Sequence, residues 1–449
     1  MITQVLFITL CVLSFVLVLH GLRRKEGCYE FQVLFAGAFA FSIIPQLVNH
    51  VYSEGRLPQQ VYEDRGVEWG IVMCILCLLA GCWGSIRPLC GAGSLRAFIP
   101  ATHPEKYWWA GVALCVIGTY GMVAVDQMAG GFRARFMQGG HYALETSGRV
   151  TIYMYLGKLS ALGLVLCIIS AIHQGTFLKW AFTALMLVYP IASVIFLGRR
   201  TAVVSLALVL GLSLWFYKRW APPRLVSIAG LATCGLLVIF LPHYRDVANQ
   251  TGNIREAVKQ IQVEDVLEGY RTGERGEGMD NLIVGVAARM KDHSFSLGSV
   301  FWNGLVDFFV PAQIVGADFK QSLFLKIGKE DSDLFSEYCG YMMEFDSYLT
   351  GPYSVYREFW FFGCLLYYLM ARFYKRLWRL ANETQGSSAQ ILYMATLLFV
   401  PFSVVNSAQD CFARFTLAFG VLWVVLRLIG SKPQRGRAAR GGKTDKAQI

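Results

Sequence analysis

The chain has 449 residues, 55% of them apolar and only 16% charged, with 31 Phe, 21 Tyr and 11 Trp, whereas a water-soluble domain carries roughly 25% charged residues. This composition excludes an ordinary soluble domain and makes the chain a membrane protein. The formal net charge of +11 lies in short basic clusters between apolar runs, which argues against nucleic-acid binding and for the topogenic use of Lys and Arg.

The first apolar run, Met1 to Leu22, has no positive residue before it and Arg23, Arg24 and Lys25 after it. That is the reverse of a secretory signal, so a retained helix is expected. A hydrocarbon core about 30 Å thick needs about 20 apolar residues as helix, and on that ruler the sequence predicts about eleven spans. They fall at 2–22, 31–51, 68–86, 108–127, 150–172, 178–197, 201–217, 224–242, 353–371, 388–406 and 411–430. Cysteines such as Cys11, Cys77, Cys82, Cys115, Cys167, Cys234 and Cys364 lie inside these runs, where Cys serves as a small hydrophobe. The Cys74-x-x-Cys77 pair lies in the third run and is read as packing rather than redox or zinc chemistry.

Basic residues set the expected orientation. Arg87, Arg96 and Lys106 follow the third span, Lys218, Arg219 and Arg224 flank the seventh and eighth, and Arg372, Lys375, Arg376 and Arg379 follow the ninth. With the basic tail after 431, all fall on one side if the number of spans is odd. The positive-inside rule makes that side cytoplasmic and the N-terminus external, periplasmic in a bacterium.

The predicted organisation is all-α: a transmembrane bundle over 1–242, a large external loop over 243–352, C-terminal spans over 353–430 and a basic cytoplasmic tail over 431–449. The insertion is too long for a plain connection. Ile254, Val258, Ile261 and Leu267 lie on one helical face, predicting an amphipathic helix near the membrane surface. Residues 295–315, with Phe301, Trp302, Phe308 and Phe309 before Pro311, predict a re-entrant or surface-docked helix.

External connections should be poor in Arg, yet Arg133, Arg135 and Arg149 occupy the loop before the fifth span, and Arg199 and Arg200 sit between the sixth and seventh with almost no loop around them. Like charges held at an apolar boundary become tolerable when an anion neutralises them, and the guanidinium fork matches phosphate oxygens. The competing reading is that they snorkel to lipid head groups or pair with acids such as Glu145, Asp246 or Asp280. A second constellation runs from Asp346 through Tyr348 and Tyr353 to Arg357 and Glu358. The last two lie about one turn inside the ninth span, where an ionised carboxylate costs several kcal/mol unless paired. Glu358 is therefore the first candidate for a general base, with a salt bridge as its alternative. Asp410 and Arg414 begin the last span at the same depth, and Lys158, two turns into the fifth, reads as an ion-pair partner. His141, His243 and His293 show no spacing that pairs them with a metal or a nucleophile. There is no Walker-type loop, HExxH, GxSxG or dinucleotide fingerprint in the sequence.

This pattern resembles the oligosaccharide repeat-unit polymerases, the Wzy-type O-antigen and exopolysaccharide polymerases of bacterial inner membranes. Three places carry the likeness: Gly198-Arg199-Arg200-Thr201 before an aliphatic helix; Ala288-Arg289-Met290 with Phe308-Phe309-Val310-Pro311; and Tyr348-Leu349-Thr350-Gly351 through Glu358 to Phe361-Phe362-Gly363. Where that family often has a Trp and a Lys-Pro pair after the proline, this chain reads Ala312-Gln313-Ile314-Val315 and Lys320-Gln321.

The resemblance implies a GT-C-like, metal-independent glycosyltransferase without a cofactor. Its donor and acceptor would be undecaprenyl-diphosphate-linked glycans, and a chain-length regulator and a flippase would be its partners. On that reading Arg199, Arg200 and Arg414 hold the diphosphate, Arg133, Arg135, Arg149, Arg289 and Arg357 complete the substrate-binding face, and Glu358 or Asp346 takes the acceptor's proton. Tyr348, Tyr353 and Trp302 are candidates for stacking on sugar rings. A ligase using the same carrier, or a lipid-linked oligosaccharide flippase, remains the alternative at this stage.

Overall fold

The structure, a computed structural model, describes residues 1–24, 27–52, 57–86, 99, 106–128, 130–131, 149–197, 200–220, scattered positions between 223 and 268, 277–343, 349–383 and 388–430. Side chains of 149, 151, 193–203 and 277 lie outside this description. Among the described residues every regular element is helical. The first five long helices are α1 (Ile2–Leu22), α2 (Phe31–Tyr52, with a π-turn over Phe39–Ile43), α3 (Gly66–Ile86), α4 (Tyr107–Met128) and α5 (Arg149–Gln174, apolar from Ile152). Then come α6 (Phe177–Leu197) and α7 (Arg200–Lys218).

The insertion contributes α8 (Glu277–Asp292), α9 (Ser299–Phe309) and α10 (Asp331–Cys339). The chain ends in α11 (Gly351–Phe359), α12 (Cys364–Glu383), α13 (Ser388–Leu397, continuing apolar to Val405) and α14 (Ala408–Ile429). Seven of the described helices, α1 to α5, the 388–405 segment and α14, are long and apolar enough to cross a membrane. The protein is a helical, multi-span membrane protein.

The hydropathy ruler places α1 to α5 within a few residues, because a lipid-facing stretch must be apolar along its whole length. α6 and α7 add the apolar helical stretches Phe177–Ala192 and Val204–Lys218 among the residues whose side chains are described. The expected span 224–242 lies mostly outside the described residues, as does the amphipathic helix expected at 254–267. The expected span at 353–371 is not one helix: α11 stops at Trp360, whose φ of 55° no α-helix accepts, and a 3-10 turn over Trp360–Gly363 precedes α12.

The core of the bundle is an aromatic column joining α2, α12, α13 and α14. Phe31 stacks on Tyr374 at 5.5 Å and Phe35 tilts against Tyr367 at 5.1 Å. The buried hydroxyls in this column find carbonyls: Tyr374 donates to Thr396 O at 2.6 Å and Tyr393 to Tyr29 O at 2.7 Å. In an apolar bundle such bonds average on the order of 0.6 kcal/mol each, and leaving the hydroxyls unbonded would cost more.

α4 and α5 form the closest helix pair. Gly111, Cys115, Gly118 and Gly121 face Gly157, Ser160, Gly163 and Cys167, small residues three or four apart that let the backbones approach. A Cβ at Gly163 would come within 2.5 Å of Cys115 N, one at Gly121 within 2.7 Å of Gly157 N, and one at Gly118 would overlap the Ser160 backbone. We expect Gly118→Leu to cost about 1–3 kcal/mol through overpacking, read as a lowered thermal midpoint in detergent. Gly37→Ala, where nothing lies within 4 Å of the new Cβ, should leave the midpoint unchanged.

Candidate functional site

The insertion docks on one end of the bundle through α8. From Met279 to Arg289 this helix is buried all round, as a helix apolar on every face must be. Leu282 and Ile283 meet Gly70 and Gly66 of α3, and Gly285 admits the ring of Tyr353 from α11. Packing thus brings Arg289, near the end of α8, beside α10 and α11.

Asp331, the first residue of α10, is the centre of a buried ionic knot. Its Oδ1 accepts from Arg289 Nη2 at 2.7 Å and from the Tyr353 hydroxyl at 2.5 Å, while its Oδ2 accepts from Arg357 Nη1. Arg289 also donates to Tyr353 OH at 3.2 Å, to Ser294 O at 2.7 Å and to Lys329 O at 3.1 Å. Arg357 Nη2 reaches Gln409 Oε1 of α14 at 3.2 Å. Burial pushes the Asp331 carboxyl up, but the guanidiniums of Arg357 and Arg289 and their hydrogen bonds outweigh it and hold the group below its ordinary value.

Arg289 and Arg357 are therefore both held by an internal carboxylate, while the buried Nε of Arg357 has no hydrogen-bond partner among the described residues. The guanidinium of Arg289 donates to four internal acceptors and so braces the insertion. Tyr353 is fully buried in the same knot and cannot stack on a sugar. Asp331 went unread in the sequence because Lys329-Glu330-Asp331-Ser332-Asp333 has the look of a solvated acidic turn. The only hint was an Asp opening a helix with another two residues on.

Glu358, next to Arg357, is 0% exposed. Its Oε2 accepts from the backbone N–H of Gly298 at 2.6 Å, and the Phe301 amide lies close by, so the carboxylate caps the N-terminus of α9. Its Oε1 has no hydrogen-bond partner among the described residues. The main chain is pinned here too: Ser296 N donates to Arg357 O at 3.0 Å and Leu297 N to Glu358 O at 3.1 Å. Three non-glycine residues around this joint, His293, Leu297 and Trp360, have φ of 54°, 49° and 55°. Backbone strain of that kind costs of order 1–3 kcal/mol per residue and collects where the surrounding structure holds a geometry in place.

A cationic group lies at the junction of α5, α9 and α14. Lys158 Nζ stands 3.8 Å from the Phe308 ring centroid and 4.7 Å from that of Tyr155. Arg414 pairs with Asp410 at 2.8 Å, and both are electrostatic neighbours of Lys158. Among the described residues, Lys158 and Arg414 thus both lie in the field of the Asp410 carboxylate. Asp280, weighed above as a partner for loop arginines, instead meets His50 of α2 at 2.7 Å, a buried pair that the sequence reading missed.

Arg133, Arg135, Asp346, Tyr348, Glu145, His141 and Arg199 lie outside the described residues. Arg149 and Arg200 open α5 and α7, and their side chains are not described. The chain matches no protein-family model, no curated protein and no solved structure.

Proposed function

We propose that this protein is a membrane-embedded, metal-independent glycosyltransferase that joins lipid-diphosphate-linked repeat units into a polysaccharide at the external face of a bacterial inner membrane. The observation that carries the reading is Glu358, a buried carboxylate with one oxygen fixed by Gly298 and the other without a hydrogen bond among the described residues, at the end of the bundle where cations collect. The acceptor sugar's hydroxyl attacks the anomeric carbon of the donor as its proton passes to Glu358. The bond from that carbon to the diphosphate breaks, and the diphosphate lipid leaves with the bonding pair. Arg414, with Lys158 and the pair Arg199 and Arg200, balances the charge developing on the leaving group. Arg289 and Arg357 act on the site only through the joint they brace.

The reading carries with it a GT-C-like bundle of about eleven spans with a periplasmic N-terminus and a cytoplasmic C-terminus. It is supported by a folded insertion packed on one end of the bundle and by the arginine-rich connections. The test supplies purified protein in lipid nanodiscs with an undecaprenyl-diphosphate-linked repeat unit. A ladder of longer glycans with matching release of the diphosphate lipid is expected. One transfer onto a different lipid would mark a ligase, and translocation without bond formation a flippase; either would overturn the polymerase reading.

A further inference from the structure

The geometry points to residues 299–327 as a re-entrant element that dips into the membrane leaflet on the insertion's side, with lipid as the partner of its apolar face. This inference does not rest on the glycosyl-transfer reading.

Depth is the first argument. α9 lies alongside spanning helices and not above them: Phe301 packs on Phe412 of α14 at 6.2 Å, and Phe308 on Tyr155 of α5 at 5.1 Å. Gly304 faces Gln409 so closely that a Cβ there would touch its side chain. The apolar part of α5 begins at Ile152 and α14 begins at Ala408. At 1.5 Å per residue, Tyr155, Lys158 and Phe412 lie about 5–9 Å inside those ends, the depth at which interfacial helices bury their apolar faces.

The second argument is how the returning chain satisfies its backbone. After Pro311 the chain makes two short turns, Ala312–Val315 and Ala317–Ser322, and comes back extended along α9. One face of α9 bonds that return. Trp302 Nε1 donates to Leu323 O at 2.8 Å, Asn303 Nδ2 to Leu325 O at 2.8 Å and Ser299 Oγ to Ile327 O at 3.3 Å, while Leu325 N donates back to Asn303 Oδ1 at 2.8 Å. Alternate carbonyls of a non-helical segment are each taken by a side chain. Such bonds lower the cost of holding this stretch of backbone beside lipid, where water does not replace them. The one ionic pair within the element, Lys320 with Asp307 at 2.9 Å, is closed on itself.

The third argument is what remains bare. Ile314 is 75% and Phe319 55% exposed, and Trp302, Phe309, Leu325 and Ile327 are exposed with them. At its base Phe301 packs on Phe412 of α14, a helix of spanning length whose Phe412 is itself exposed. Asp318, Gln313, Gln321 and Lys326 are exposed among these residues, which sets the element at head-group level and not deeper.

The test uses the full chain in vesicles of phosphatidylethanolamine and phosphatidylglycerol. Ile314→Cys, Phe319→Cys and, as a reference on the exposed side of α10, Ser332→Cys are treated with a membrane-impermeant maleimide, with the parent protein giving the background from native thiols. Ile314→Cys and Phe319→Cys should label at least about tenfold more slowly than Ser332→Cys in vesicles, and as completely as it does after unfolding in SDS. A permeant fluorophore on the same cysteines should be quenched by lipids brominated near the head of the acyl chain. Equal labelling in vesicles would overturn the inference. So would slow labelling without quenching, which would mean that a second copy or another protein covers the face.

Discussion

Asp331→Asn is expected to destabilise the protein by about 3–5 kcal/mol, because it removes the carboxylate that two buried guanidiniums both bond. Asn keeps the shape and one acceptor but takes from Arg289 and Arg357 the charge they bond away from water. The insertion should loosen first, since the knot ties α8, α10, α11 and α14 together. Limited trypsin digestion should cut within 277–343 before the spans are lost, and the thermal midpoint in detergent should fall. Asp333→Asn, exposed on the same helix, should change stability by less than about 0.5 kcal/mol.

The sign of the pH dependence follows from the same geometry. Asp331 has its folded-state value held below the ordinary 3.8. Its contribution is therefore complete above that ordinary value and is lost as pH falls through the depressed folded one. The parent should lose this part of its stability below about pH 4, and Asp331→Asn should lack that loss. A variant that melts with the parent at neutral pH would show that the knot contributes nothing.

Glu358→Gln is expected to lower glycosyl transfer by about 10²–10⁴-fold, the usual cost of losing a general base. The substitution separates chemistry from structure. A glutamine oxygen still accepts the Gly298 N–H, so α9 keeps its cap and the thermal midpoint should stay near that of the parent, while no basic oxygen remains for the acceptor's proton. Measuring initial rates at saturating donor, with the midpoint recorded on the same preparation, reads both effects. Full activity in Glu358→Gln would leave the carboxylate as a helix cap alone.

The fold was legible where one requirement governs a long stretch of chain. Runs such as Ile2–Leu22 or Tyr107–Met128 must be apolar throughout to face lipid, and no tertiary contact can excuse a break. The helix broken at Trp360 was not legible, because its left-handed turn is set by what packs around Arg357 and Glu358 and not by the residues 353–371 themselves. α8 was missed for a related reason: Leu282-Ile283-Val284-Gly285-Val286-Ala287-Ala288 is apolar but too short for a span, and it becomes intelligible only once α3 and α11 surround it. At the site, the sequence singled out Glu358 and Arg357 as charges inside an apolar run, and the structure buries both. It could not reveal that Asp331 neutralises Arg357 together with Arg289, since a contact between distant segments leaves no periodic mark.

The long reach of these contacts bears on how the chain is made. Tyr338 bonds Asp64 across 274 positions, and Tyr393 bonds the carbonyl of Tyr29 across 364. At about 5–20 residues per second, the first helices wait roughly 20–70 s after leaving the ribosome before their last partners exist. During that interval the glycine face of α3, later covered by Ile283, stands open to lipid or to an insertion chaperone. Nascent chains halted before residue 277 should accordingly be held by the membrane-insertion machinery, and release should coincide with arrival of the final hairpin.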